Sequence, residues 1–114
     1  MNAEPFLVTL SPELARHRAD WLASLASERR MAEKTLEAYE RDLRQFLTFL
    51  TGHAGEPPKL KHVAKLRPAD MRGYLAWRRN SGAGARTLGR GLAGIRSFIR
   101  FLEKKGLASS AGLT

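Results

Sequence analysis

Cysteine is absent from the 114 residues. That excludes disulfide cross-links, thiolate nucleophiles and cysteine-ligated metal centres, and it fits a reducing, cytoplasmic setting. No apolar stretch approaches the ~20 residues of a membrane span. The opening Met1-Asn2-Ala3-Glu4-Pro5-Phe6 has neither a basic start nor a long apolar segment, so no secretory leader is expected. Alternating Val/Ile/Thr runs are missing too, which removes the strand signal. Acid is scarce in only one half. Residues 1–51 carry seven basic and eight acidic side chains, whereas 52–114 carry thirteen and three, so the net charge of +9 lies wholly in the second half. A clustered surplus of that size is the footprint of a nucleic-acid binder, although a solvated, solubilising surface would give the same charge.

What remains is helical patterning in one domain-sized chain. Ser11-Pro12-Glu13 starts a helix, with Ser as N-cap, Pro in the first turn and an acid behind it. Leu14, Trp21, Leu22 and Leu25 share one face, and the helix is expected to end near Glu28-Arg29-Arg30. A second helix is predicted from Glu33 to Leu50. Leu36, Tyr39, Leu43, Phe46, Leu47 and Leu50 form its apolar arc, and Lys34, Ala38, Arg41 and Gln45 lie opposite. Thr51 to Pro58 is read as the end of that helix and a loop, and Leu60–Leu66 as a place for a short turn. Pro68-Ala69-Asp70 opens a third helix, with Met71, Leu75 and either Tyr74 or Trp77 facing inward. Asn80 to Gly84 breaks it.

The fourth helix, Arg86–Lys105, is written on two faces. Leu88, Leu92, Ile95, Phe98, Ile99 and Leu102 make a core stripe, and Arg86, Arg90, Arg96, Arg100 and Lys104 make a cationic one. The expected fold is therefore all-α, four helices without a sheet. The domain is expected over 11–107, with an arm at 1–10, and 108–114 as the start of a linker or a terminal remnant.

The residues offer little catalytic chemistry. His17, His53 and His62 lack metal-ligand spacing and read as surface histidines, so no metal site is expected. Gly89, Gly91 and Gly94 follow no phosphate-loop pattern. They serve close helix packing, the reading preferred for Gly91, or a close approach of the backbone to phosphate. Glu37, Glu40 and Asp42 flank Arg41 and Arg44 and read as helix-surface pairs. Binding chemistry is better represented, because Arg and Lys neutralise phosphates and Arg reads guanine in a bidentate contact. Thr35 and Thr87 lie near the starts of basic-faced helices. There a hydroxyl beside free backbone N–H groups clamps a phosphate, with plain capping the commoner explanation. The stems of Arg96 and Arg100 are suited to partial burial at the edge of the core.

Three segments also resemble a known family. Residues 34–50 are similar to the "TLxAYxRDLxxFxxFL" segment of tyrosine recombinases, 68–79 to their third core-binding helix, and 86–102 to their fourth, "RTLxRxLsaiRsFyrfL". Order and spacing agree from about residue 11 to 107, and the likeness is to the bacterial Xer chromosome-dimer resolvases, C type more than D type. The resemblance implies a four-helix, SAM-like core-binding domain of orthogonally packed helix pairs. Its second and fourth helices would face the major groove of duplex DNA. It implies that Lys34, Thr35 and Arg41 lie near DNA on the second helix, with Ala38 allowing close approach. Arg86, Thr87 and Arg90 would be the main contacts of the fourth, and Arg96 would point toward phosphates.

The family's catalytic tyrosine, arginines, lysine and histidines belong to a following domain, and neither Tyr39 nor Tyr74 matches the nucleophile's motif. No catalytic residue and no cofactor is therefore expected in this chain. The full parent would recombine DNA, for chromosome dimer resolution and segregation, through a 3′-phosphotyrosine intermediate without metal or ATP. It would act as a tetramer of related protomers. Two other readings stay open: a stand-alone basic helical DNA-binding regulator, and a helical protein-interaction module.

Overall fold

Ser11 begins the first helix as its sequence context predicts, its hydroxyl accepting the Leu14 N–H at 3.2 Å with Pro12 in the first turn. In the computed structural model, which describes residues 10–111, five helices follow one another: α1 Pro12–Ser27, α2 Glu33–Ala54, α3 Leu60–Ala64, α4 Pro68–Asn80 and α5 Ala85–Lys104. There is no strand among the described residues. The all-α class stands, with one short helix added where a turn was expected. The arm expected at 1–10 lies, apart from Leu10, outside the described residues.

Two boundaries differ from the sequence reading. α2 continues a full turn beyond Leu50, through Thr51, Gly52 and His53, and stops at Gly55 in the left-handed region at φ 75°. Local contacts carry it past the glycine: Thr51 Oγ1 donates to the Leu47 carbonyl at 2.9 Å, and the His53 ring stacks on Phe49 at 5.5 Å. α3 is too short to show a period. It is closed at its start by the Lys59 N–H donating to His62 Nδ1 at 2.8 Å, and it buries Val63.

α2 packs most extensively on α5, and α1 lies against both. The core is the predicted set of stripes. Leu14, Trp21 and Leu25 come from α1, Leu43, Phe46, Leu47 and Leu50 from α2, Met71 and Tyr74 from α4, and Ile95, Phe98, Ile99 and Leu102 from α5. On α4, Tyr74 is the aromatic that turns inward, edge-on to Phe46 at 5.1 Å, and Trp77 stays 37% exposed. Trp21 is the hinge of the packing. Its ring stacks on Tyr39, meets Phe98 edge-on at 5.2 Å, and its Nε1 donates to Ser97 Oγ at 3.0 Å.

The close approach of α2 and α5 rests on a glycine, but not the expected one. A Cβ on Gly94 would lie 3.2 Å from the Cα and carbonyl oxygen of Tyr39, whereas one on Gly91 would meet Asp42 at an ordinary 3.8 Å. Gly94 is thus the residue whose missing side chain sets the interhelical distance. Both ends of the domain are tied to the connection between α2 and α4: the Ser11 N–H donates to the Pro58 carbonyl at 3.0 Å and the Ser109 N–H to the Ala64 carbonyl at 3.2 Å. Ser110 is bonded to Glu103 through both backbone and side chain. Packing therefore continues past the expected boundary at residue 107.

Candidate nucleic-acid interface

α5 starts in a way that suits an anion, whereas α2 carries the acid Glu33 in its first turn. α2 begins after Ala32 and α5 after Gly84, neither of which supplies a capping side chain. Thr35 and Thr87 each occupy the third helical position and are exposed. Neither is an N-cap, so the capping explanation falls for both. In α5 the first helical backbone bond is from the Leu88 N–H to the Gly84 carbonyl at 3.0 Å, which leaves the N–H groups of Ala85, Arg86 and Thr87 outside the helical ladder.

The charge on that turn is unusual. α5 has no acid in its first turn, and it places Arg86 there, at the positive end of its own dipole. A cation there is locally unfavourable unless an anion is nearby. Arg86, Thr87 and Arg90 are all exposed on the side away from the buried Leu88, Ile95 and Ile99. Lys34 and Thr35 are exposed on the first turn of α2, and Arg41 is half-buried two turns further along.

Among the seven candidates, the charges of Arg41 and Arg90 both act on one carboxylate, that of Asp42. The sequence reading had placed that carboxylate on a helix surface, and this is corrected: Asp42 is 5% exposed and its Oδ2 has no hydrogen-bond partner. Glu40, by contrast, pairs as a surface acid would, with Arg44 at 3.5 Å and with Arg18 across on α1. Burial pushes the Asp42 pKa above its ordinary value, and the positive charges of Arg41, Arg90 and Arg78 act against that rise. Arg78, on α4, was not singled out from the sequence. The signal for Asp42 was faint but present, since it sits about 40° from Phe46 around α2, on the shoulder of the apolar arc. For Arg78 the sequence carried no signal, because its neighbour is on another helix.

Arg96 does not join this group. It lies about 120° from Arg90 around the α5 axis, and it lines a cleft of about 1040 Å³ between α1 and α5 with Trp21, Arg29, Arg100 and Lys104. Its half-burial matches the expected packing of its stem, whereas Arg100 is exposed.

His53 is a surface histidine as expected, whereas His17 and His62 are half-buried. His17 has a buried Nδ1, His62 caps α3, and exposed His53 stands 3.9 Å from Asp70. Burial raises the Asp70 pKa, but the Arg67 N–H at 2.9 Å, the Arg67 guanidinium and His53 outweigh it and hold the carboxyl below its ordinary value. Among the described residues no group of three or more His, Cys, Asp or Glu could hold a metal. None of the described helices is long and apolar enough to cross a membrane.

Comparison with known proteins identifies the family. Residues 19–106 match the family described as phage integrase, N-terminal SAM-like domain. The chain is 67% identical over 101 residues to the tyrosine recombinase XerC of Rhizobium meliloti (strain 1021), covering 89% of this chain and 32% of that protein. It is 62% identical over 109 residues to XerC of Mesorhizobium japonicum, covering 96% and 35%. It is 56% identical over 108 residues to XerC of Agrobacterium fabrum, covering 95% and 34%. The chain thus spans about a third of the length of these relatives. No solved structure gives a significant match. With its all-α fold, this match over residues 19–106 and these relatives named XerC, the chain belongs to the phage integrase N-terminal SAM-like domain family.

Proposed function

We propose that this chain is the duplex-DNA-binding arm of a site-specific tyrosine recombinase of the XerC kind. The observation that carries the reading is the first turn of α5. Arg86 stands there at the positive helix end without an acidic neighbour, beside the exposed Thr87 hydroxyl and backbone N–H groups outside the ladder. A phosphate satisfies all three at once: the guanidinium, the hydroxyl and the dipole. The relatives, whose printed name is tyrosine recombinase, give that anion its context as DNA.

On this reading Arg86, Thr87 and Arg90 of α5 and Lys34, Thr35 and Arg41 of α2 contact DNA, and Arg96 meets a flanking phosphate from the other side of α5. Strand cutting and rejoining belong to the remainder of the parent protein, acting in the cytoplasm as a tetramer of related protomers on DNA.

Titration of the chain with a Xer-type palindromic duplex and with a scrambled duplex, each at two salt concentrations, tests this. Binding should weaken steeply with salt, by a slope of about 0.9 per phosphate neutralised. Arg90→Ala should relax preference for the palindromic site, and Lys34→Ala should weaken both duplexes alike. Absence of binding to either duplex at low salt would refute the reading.

A further inference from the structure

The cleft between α1 and α5 is the feature that the duplex-binding reading uses least, since of its lining that reading takes only Arg96. Met31, Tyr39 and Phe101 line it and are half-buried, so apolar surface stays open to a partner. Beneath them the Trp21 ring is fixed, its Nε1 donating to Ser97 Oγ at 3.0 Å. Side chains held in one orientation lose little freedom when a partner docks.

The lip of the cleft is cationic. Arg29 stands just beyond α1, and Arg100, Lys104 and Lys105 stand at the end of α5. With Arg96 that makes five cations against two acids, Asp20 and Glu28, and Glu28 already accepts the Ser24 hydroxyl at 3.1 Å. Among the described residues, none of the five cations forms an ion pair within 4.0 Å. The dipole of α5 accounts for Lys104 and Lys105 at its negative end, but not for Arg100 a turn earlier or for Arg29 on the facing side. Lys105 Nζ lies over the Phe101 ring, 5.0 Å from its centre, so charge and apolar surface meet at one edge.

The spacing on α5 suits a helix. Arg100 and Lys104 lie about 40° apart around its axis and about 6 Å apart along it, with Phe101 about 60° further round. A partner helix presents acids at i and i+4 with the same repeat, beside an apolar row. DNA suits this cleft less well, because Asp20 and Glu28 repel a phosphate backbone and the apolar lining offers it no donor.

We infer that the α1–α5 cleft docks an acidic amphipathic helix of a partner protein. Its carboxylates meet Arg29, Arg100 and Lys104, and a bulky apolar side chain covers Met31, Tyr39 and Phe101. This surface lies beside the one assigned to DNA and does not depend on that assignment.

The test is fluorescence anisotropy of the whole chain with a labelled synthetic helical peptide that carries glutamates along both edges of a leucine and phenylalanine face. One control peptide has lysine for every glutamate, and another has alanine for every leucine and phenylalanine. The acidic amphipathic peptide should bind at least about tenfold more tightly than either control. Arg100→Ala combined with Lys104→Ala should weaken it by about tenfold, and Met31→Ala alone by a smaller factor, with circular-dichroism melts confirming that each variant folds. Lys61→Ala combined with Lys65→Ala, an equal loss of charge around α3, should leave its affinity unchanged. Absence of binding, equal binding of the alanine control, or an equal loss in the Lys61 and Lys65 double variant overturns the docking site. A fall of about two in the salt slope of duplex binding in the Arg100 and Lys104 double variant assigns the lip to DNA. A dimer of the chain that the same variant dissociates assigns it to a second copy. Either result overturns the inference. Failure of the unmodified chain to bind duplex removes the earlier reading and leaves this one standing.

Discussion

Gly94 of α5 rests against the backbone of Tyr39 on α2, so closely that a Cβ on Gly94 would lie 3.2 Å from the Tyr39 Cα and carbonyl oxygen. Backbone cannot swing aside as a side-chain tip can, so the helices must separate to admit a methyl group. Gly94→Ala should destabilise the fold by about 1–3 kcal/mol, the range for overpacking. Gly89, on the same helix, has nothing within 4 Å of a Cβ. Gly89→Ala should stabilise by about 0.5–1 kcal/mol through its better helix propensity. Urea melts of the two variants check the contrast. Weaker duplex binding by the more stable Gly89→Ala would mark close approach of phosphate at that position.

Arg86 sets stability against binding. Replacing it with Glu puts a negative charge at the positive end of α5, where about 0.3–1 kcal/mol is expected in favour of the fold. The same change removes a phosphate contact and adds a repulsive charge. Arg86→Glu should therefore melt at the same or a higher temperature while losing duplex affinity. A large loss of both would show that Arg86 is needed by the fold instead.

Asp70 and Asp42 respond to pH with opposite signs. The pKa of Asp70 lies below 3.8 in the folded state, so the unfolded chain binds its proton more readily. Its stabilisation is present above that value and is lost as pH falls through the lowered folded pKa. Asp70→Asn should cost about 1 kcal/mol at neutral pH, the worth of a helix-start hydrogen bond, with the gap to the parent chain closing in acid. For Asp42 the folded pKa lies above 3.8, so the folded chain binds the proton more readily. Stability from this group is present below 3.8 and lost as pH rises through the raised folded pKa. Asp42→Asn should therefore be neutral or stabilising at pH 7, and that difference should disappear in acid. Thermal melts of both variants from pH 3 to 7 read the two trends.

Ser97 carries the Trp21 indole hydrogen bond. Because the Trp21 ring is buried, Ser97→Ala leaves its N–H unsatisfied and should cost about 1–3 kcal/mol. Ser97→Thr, which keeps the hydroxyl, should cost less. The Trp21 fluorescence maximum together with a melt distinguishes loss of the bond from a general loosening.

The stripe of α5 was legible in full because a 3.6-residue period needs only the order of residues. Leu88, Ile95, Phe98, Ile99 and Leu102 are all buried, with Leu92 half-buried beside them. The end of α2 was not legible, since Gly52 reads as a breaker until Thr51 and the Phe49–His53 stack are seen to carry the helix across it. α3 was missed as a helix because five residues hold barely more than one turn. Of the candidate contacts, Arg86 and Arg90 lie on the cationic stripe that the pattern of α5 writes and Thr87 near its start, while their choice as main contacts came from the family resemblance. The burial of Asp42 was not legible, because its surroundings come from α5. A helical wheel shows Asp42 beside the apolar arc, but not the space that Gly91 and Gly94 leave for it.

The bonds from Ser11 to Pro58 and from Ser109 to Ala64 make the short stretch around α3 a common clasp for both ends of the domain. Opening it should release the two ends in one event rather than two. In native-state deuterium exchange, the amides of Ser11 and Ser109 should thus become labelled with one shared opening free energy, below that of the Phe98 and Ile99 amides in the core. Pro57→Gly, which loosens the clasp from within, should speed both to a similar extent and leave α5 protected.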